Sequence, residues 1–164
     1  RMNYLSMQSP TGPLTLFEED GKIIVVTWGR TGGGTETPLL LEAKNQMAEY
    51  FTGERQSFDL PLNAQGTDFQ QAVWRQMLAI PYGETKTYGD LAKALKSAAR
   101  AIGGACGNNP IPIIIPCHRV MGANGKLTGF SGGEGIVTKQ ALLQLESLVK
   151  HGTKENKQQT EFKF

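Results

Sequence analysis

The segment Pro116-Cys117-His118-Arg119-Val120 places a thiol next to an imidazole and a guanidinium, directly after an apolar run rich in isoleucine. A cysteine attacks as its thiolate, and neighbouring cationic groups lower the pKa of a thiol. A free cysteine titrates at about 8.5, so only about 3% of it is ionised at neutral pH. We interpret Cys117 as a nucleophile whose thiolate His118 and Arg119 help to stabilise.

Two alternatives for this thiol stay open. A cysteine is often a small buried hydrophobic residue and nothing more. A thiol hydrolase, in turn, would need a base beside the sulfur and an oxyanion hole. The nearest histidine is the very next residue, and adjacent side chains of an extended segment point to opposite sides. Direct proton transfer from Cys117 to His118 is therefore awkward, and we predict a bridging water.

Glu146 is the residue that we expect to orient this imidazole. A helix predicted over residues 137–149 has an apolar inner face, and Glu146 lies close to that face. A carboxylate that accepts a hydrogen bond from one ring nitrogen fixes the tautomer of a histidine. The alternative is that Glu146 is a solvent-exposed charge at a helix end.

The composition indicates a soluble protein without metal or cofactor. The chain has 164 residues, of which 39% are hydrophobic, enough for one ordinary domain or a domain with a small companion. It shows neither a membrane span nor a signal-peptide pattern, so we expect a cytoplasmic protein. The chain has 2 cysteines and 2 histidines, too few for a disulfide framework, and their spacing does not suggest a zinc site. We predict no metal and no cofactor.

The charge is distributed unevenly along the chain. Residues 1–66 hold 5 Lys/Arg and 8 Asp/Glu, a net charge of −3, whereas residues 67–150 hold 9 and 5, a net charge of +4. The thiol therefore lies in the basic part. An excess of this size fits a polyanion such as nucleic acid, but a solvated surface of mixed charge gives the same count.

Residues 2–62 are predicted to form an N-terminal α/β support domain, a small antiparallel sheet plus a helix. Asp20-Gly21 is a strong hairpin signal between the second and third strands. Apolar residues at helical spacing predict a helix over residues 39–51, and Gly53 is expected to end this helix. The predicted strands cover residues 3–8, 13–18 and 22–28.

Residues 67–150 are predicted to form a mainly helical C-terminal domain, and residues 151–164 a polar tail. Thr67 opens a capping-box pattern for the first helix of this domain. Further along, Gly122-Ala123-Asn124-Gly125 is a turn signal, and Asn124-Gly125 favours a hairpin.

Two short helices of this domain, over residues 87–95 and 98–106, have the spacing of a helix-turn-helix, a motif that lays its second helix in a groove of DNA. Ser97 is the expected N-cap of the second helix and Gly107 its expected end. This helix carries alanines, glycines and one long polar arm, Arg100. Small side chains permit close approach to another surface, and a lone arginine fits a narrow groove or fills a vacated base position. Alternatively, the small residues pack against the rest of the domain.

The segment from Pro116 to Val120 resembles the active-site motif of the O6-alkylguanine-DNA alkyltransferases, repair proteins that move an alkyl group from damaged guanine onto their own cysteine. The resemblance extends from about Thr67 to Glu146, and the N-terminal third matches in outline. It implies an RNase H-like N-terminal domain and a winged-helix-like C-terminal domain. Other matching residues are Tyr88, Arg100-Ala101-Ile102-Gly103-Gly104, Asn109-Pro110, the isoleucine run and Ser131-Gly132-Gly133.

The resemblance implies a role for each reacting residue. Cys117 would accept the alkyl group, His118 would take its proton through a water, and Glu146 would polarise His118. Tyr88 would donate a proton to the purine as its oxygen leaves. Asn109 would hold the turn that links the DNA-binding helix to the active-site segment.

The resemblance also implies the partner, double-stranded DNA carrying O6-alkylguanine, and by extension O4-alkylthymine. The helix would enter the minor groove, and Arg100 would fill the gap that the flipped base leaves. The protein would act once per molecule, as a monomer. The other residues expected at the DNA are Ala98, Ala99, Gly103 and Gly104.

The pocket that the resemblance implies contains Arg119, Val120 and Ser131, the last facing the O6 edge of the base. Cys106 stands where some relatives have a larger apolar residue, which would loosen the pocket and admit bulkier alkyl groups. Phe130 stands where some have tyrosine, which removes one hydroxyl. The main rival function is a non-catalytic alkyltransferase-like protein that only binds lesions, but such proteins lack the acceptor cysteine.

Overall fold

The N-terminal domain is built on a three-stranded antiparallel sheet with strand order β1-β2-β3. The computed structural model of the protein describes residues 2–128, 130 and 132–152. Asp20 and Gly21 form the predicted hairpin turn between the second and third strands, with φ of 51° and 74°. The strands are β1 (Asn3–Met7), β2 (Leu14–Glu19) and β3 (Lys22–Trp28).

One helix, α1 (Pro38–Thr52), packs against this sheet. It begins where the Thr37 side chain accepts a hydrogen bond from the Leu40 amide, and it ends at Gly53, whose φ of 83° only glycine adopts at little cost. The buried face of α1 includes Leu40, Ala43, Met47 and Tyr50.

The C-terminal domain is mainly helical, so the expected fold class is confirmed. Its first helix carries the capping box at Thr67, and Thr87 caps its second helix in the same way. A two-stranded parallel ladder pairs Lys86 with Val120. The elements are α2 (Asp68–Leu78), β4 (Lys86–Thr87), α3 (Tyr88–Leu95), α4 (Ala99–Gly107), β5 (Val120–Met121) and α5 (Ile136–His151).

Two local predictions are wrong. Ser97 does not cap α4, which follows Ala98 without any side-chain cap, and Gly107 belongs to that helix instead of ending it in the left-handed conformation. Asn124 and Gly125 form the expected tight turn, with φ of 61° and 76°, and the Gly122 amide donates to the Lys126 carbonyl across it at 2.7 Å. Among the described residues this turn joins no pair of antiparallel strands, and β5 before it is paired in parallel with β4.

The two domains share hydrogen bonds close to the predicted nucleophile. The Val26 amide of β3 donates to the Pro110 carbonyl at 2.9 Å, so the sheet edge is bonded to the segment that leads into Cys117. The Tyr50 hydroxyl of α1 donates to Glu146 of α5 at 2.6 Å. The N-terminal domain is thus bonded directly to the predicted active-site residues.

Across the described ranges, none of the helices combines the length and the apolar character that crossing a bilayer requires.

Candidate active site

The segment before the nucleophile is held by the Asn109 side chain. Its Nδ2 donates to the Ile115 carbonyl at 2.8 Å, and its Oδ1 accepts from the Ile111 amide at 3.0 Å. Between these two contacts Ile113 has a φ of 73°, which is rare for a β-branched residue. Asn109 thus occupies the linking position that was expected for it, and its hydrogen bonds hold a backbone conformation that is otherwise unfavourable.

Cys117 and His118 lie in a 3-10 turn over Cys117–Arg119, not in the extended segment that was expected. The Arg119 amide donates to the Pro116 carbonyl at 3.0 Å and closes this turn. Successive residues of a 3-10 helix are separated by about 120°, since it has about three residues per turn. The thiol and the imidazole therefore still point in different directions, and direct proton transfer between them stays disfavoured.

The Cys117 thiol is buried, with 7% of the residue exposed. Burial raises the pKa of this thiol, and the Asn109 side chain and the Lys139 charge oppose that shift only in part. The expectation that the neighbouring His118 and Arg119 side chains stabilise a resting thiolate is therefore wrong. The thiol is protonated at neutral pH, and it needs a base in order to react.

The buried carboxylate of Glu146 accepts five hydrogen bonds. His118 Nε2 and the Tyr50 hydroxyl each lie 2.6 Å from Oε2, and the Gly83 amide donates to Oε1 at 3.2 Å. Arg119 donates from Nε at 2.8 Å and from Nη2 at 3.1 Å. The alternative of an exposed helix-end charge is excluded, because only 1% of Glu146 is exposed.

The protonation states of this cluster follow from its contacts. Burial by itself raises the pKa of Glu146, but the hydrogen bonds and charges of His118 and Arg119 outweigh burial and hold that pKa well below its usual range. Burial lowers the pKa of His118, against the opposing effect of Glu146. The pair at neutral pH is therefore an ionised carboxylate and a neutral imidazole.

The tautomer of His118 follows from the same geometry. An ionised carboxylate only accepts hydrogen bonds, so the proton of the neutral ring is on Nε2 and points at Glu146. Nδ1 then carries a lone pair, and it is buried without a hydrogen-bond partner in the described part of the chain. A buried imidazole nitrogen with a free lone pair is suited to accept a proton.

Arg119 and Val120 lie outside the cavity that borders Cys117, although both were expected in the pocket. Besides its bonds to Glu146, Arg119 donates from Nη1 to the Ile80 carbonyl at 2.8 Å, and its guanidinium lies 5.6 Å from the centre of the Tyr82 ring. The Val120 side chain is fully buried.

Lys139 and Tyr50 also belong to the site, although neither was expected there from the sequence. Lys139 is fully buried, and its Nζ donates to the carbonyls of Val120 and Thr128. Burial lowers its pKa, while the nearby thiols act in the opposite direction. The spacing of Lys139 from Leu142 and Glu146 puts it on the inner face of α5, and this periodicity was the signal that could have found it.

Tyr88 lies at the start of α3, beside these lysine contacts. Its hydroxyl donates to the Thr128 carbonyl at 2.9 Å, and Lys139 Nζ lies 5.7 Å from the centre of its ring. Burial raises its pKa to about 12. Tyr88 is therefore a protonated hydrogen-bond donor at neutral pH, as its expected role requires.

A cavity of about 270 Å³ opens beside Cys117. It brings together three residues that were expected in the site, Cys106, Asn109 and Phe130, and β3 of the N-terminal domain supplies part of its wall. Ser131 lies outside the described residues. The other lining residues are residues 25–28, Gly107, Pro110, Pro112 and Gly132.

The small residues of α4 form an exposed surface. Ala98, Ala99 and Arg100 are all exposed. A Cβ added at Gly103 or Gly104 would meet no atom within 4 Å outside the helix backbone. The alternative that these residues pack against the rest of the domain is therefore wrong, and the small side chains leave the α4 backbone open to an external partner.

Comparison with protein families gives two matches that together span most of the chain. Residues 68–148 match the model of the 6-O-methylguanine DNA methyltransferase DNA-binding domain, and residues 2–64 match the model of the ribonuclease-like domain of the same family. Two similar relatives are both methylated-DNA–protein-cysteine methyltransferases. The one from Mycobacterium bovis is 46% identical over 154 residues, covering 88% of this chain and 92% of the relative. A constitutive one from Bacillus subtilis is 44% identical over 158 residues, covering 88% and 95%.

Solved structures resemble the whole fold. Mycobacterium tuberculosis OGT in complex with DNA superposes with a TM-score of 0.81 at 46% identity, covering 90% of this chain and 94% of that one. An O6-methylguanine DNA methyltransferase from Methanococcus jannaschii gives a TM-score of 0.64 at 26% identity, covering 88% and 93%. Both domains and their arrangement are thus shared with this group of proteins.

We predict that Tyr50→Phe lowers the free energy of unfolding by about 1.5–3 kcal/mol, because it removes a hydrogen bond to a buried carboxylate. Tyr82→Phe is the matched control, since the buried Tyr82 hydroxyl has no partner among the described residues. This control should cost less than about 0.5 kcal/mol. Urea unfolding of the three proteins measures both values, and equal losses would contradict the importance of the Tyr50 bond.

Proposed function

The chain belongs to the 6-O-methylguanine DNA methyltransferase family, and we propose that Cys117 is the cysteine onto which it transfers the alkyl group. The observation that carries this proposal is the geometry around Cys117. The thiol borders a cavity, and the next residue is a buried histidine whose Nε2 is bonded to Glu146 and whose Nδ1 has a free lone pair.

The reaction is a single displacement at saturated carbon. The sulfur of Cys117 forms a bond to the alkyl carbon, the bond from that carbon to O6 breaks, and the electron pair stays on the purine. The thiol proton passes through a water to Nδ1 of His118, and Glu146 stabilises the resulting imidazolium. Tyr88 donates a proton to the purine. Since no tetrahedral intermediate forms, the reaction needs no oxyanion hole.

The residues of α4 are proposed to meet double-stranded DNA in the minor groove. Their exposed small side chains allow the helix backbone to come close to the groove floor, and Arg100 is long enough to enter the stack in place of a flipped base. The damaged base would then lie in the cavity beside Cys117. O4-alkylthymine is a proposed second substrate.

We also propose that residues 2–62 form the support domain and residues 67–150 the domain that carries the reacting residues. The protein is proposed to act as a monomer in the cytoplasm. The rival function, lesion binding without chemistry, would leave Cys117 unmodified.

The test of the proposed function is alkyl transfer to the protein. Incubation with duplex DNA that carries O6-methylguanine should add one methyl group, about 14 Da, to Cys117. Trypsin leaves Cys106 and Cys117 in one peptide, residues 101–119, so fragment ions must assign the modified cysteine. Cys117→Ser is the control and should remain unmodified. A stable complex of unmodified protein with lesion DNA would favour the rival function.

A second prediction tests the role of Arg100. Arg100→Ala should slow the repair of duplex DNA by about 10- to 100-fold, because the flipped base is no longer replaced in the stack, and it should change the reaction with free O6-benzylguanine by less than about twofold. Lys22→Ala is the charge-matched control, since it removes one exposed positive charge at the start of β3. Equal losses of rate on both substrates would contradict this role.

A further inference from the structure

Trp28, at the end of β3, lines two separate cavities. One is the cavity beside Cys117, and the other has a volume of about 450 Å³ and lies toward α5. The second cavity contains none of the residues of the proposed reaction. Its lining residues include Pro13, Glu134, Val137, Thr138 and Ala141.

We propose that the Trp28 indole is the wall between these cavities and that it sets the largest alkyl group that Cys117 can accept. This inference rests on the proposed function, since it assigns the first cavity to the damaged base together with its alkyl group. It makes a residue of the N-terminal domain a determinant of specificity for a reaction carried out by residues of the C-terminal domain.

The indole is held on several sides. Its Nε1 donates to the Thr11 hydroxyl at 3.2 Å, and its ring meets the Phe130 ring edge-on, with ring centres 5.9 Å apart. A Cβ added at Gly132 would collide with the indole, and one at Gly133 would come within 3.0 Å of Nε1. Gly132 and Gly133 therefore lie directly on the ring, and Gly132 also lines the first cavity.

This packing explains how the Trp28 indole limits the size of the alkyl group. A methyl group adds little volume to the base, so in this proposal it occupies the cavity of about 270 Å³ beside Cys117 without movement of the ring. A bulkier benzyl derivative must displace the indole, which is restrained by Thr11, Phe130 and the two glycines. Removal of the ring would join the first cavity to the second and provide room for the larger group.

The experiment measures the second-order rate constants for two duplexes of the same sequence, one with O6-methylguanine and one with an O6-benzylguanine that carries a bulky para substituent. Trp28→Ala should raise the ratio of the rate constant for the bulky duplex to that for the methyl duplex by about tenfold or more. Changes of pocket volume alter substrate discrimination by about this factor. Trp28→Phe keeps an aromatic wall and should give a ratio close to that of the original protein.

A second substitution distinguishes an effect of cavity volume from a general loosening of the residues around Trp28. Ala141 lines the second cavity and is half-buried on α5. Adding Ala141→Phe to Trp28→Ala should refill the joined space and bring the ratio back toward its original value. Where thermal unfolding shows that Trp28→Ala does not fold, Trp28→Leu replaces it, and the same rise in ratio is expected.

The outcomes are distinct. An equal change of both rates in Trp28→Ala, or a raised ratio that Ala141→Phe does not reduce, would overturn the role of the wall. Failure of the unaltered protein to accept a methyl group from the first duplex would instead overturn the proposed function.

Discussion

The buried carboxylate of Glu146 is the group on which the rest of the site depends. A buried carboxylate without partners would cost several kcal/mol, so its donors must be present for the protein to fold as it does. They come from separate parts of the chain, namely Tyr50 of α1, Gly83 of the loop before β4, and His118 and Arg119 of the active-site turn. One desolvated charge therefore fixes both the tautomer of His118 and the position of the N-terminal domain relative to the nucleophile.

The same burial governs the reactivity of the thiol. Burial raises the pKa of Cys117, and Arg119, the nearest guanidinium in the sequence, is bonded to Glu146 instead of the sulfur. A protonated thiol reacts slowly with oxidants and with stray electrophiles. In the proposed reaction the sulfur becomes a strong nucleophile when its proton passes to His118, whose basicity depends on Glu146. Burial would thus protect the thiol in the resting protein, and the His118–Glu146 pair would provide the means to activate it.

Local patterns predicted those parts of the structure that neighbouring residues determine. The cap at Thr67, the Asp20-Gly21 turn and the helical periods give the correct elements because each depends on residues a few positions apart. The contacts of Tyr50 and Arg119 depend on the tertiary fold. Tyr50 lies 96 positions from Glu146, and its sequence context is that of any core aromatic residue.

In the proposed reaction the acceptor is consumed, and this explains why a buried and rigid acceptor site is acceptable. A catalyst that turns over must release its product and readmit substrate, which favours an open or gated site. The thioether that the proposed reaction leaves on Cys117 is stable, so the protein needs only one entry of one base. The turn held by Asn109, the Ile113 conformation and the Glu146 cluster can therefore be rigid, and in its proposed role the Trp28 wall discriminates by size. In the proposed function, recognition is the task of the exposed α4 surface, where small residues permit approach to DNA without rearrangement of the buried reacting residues.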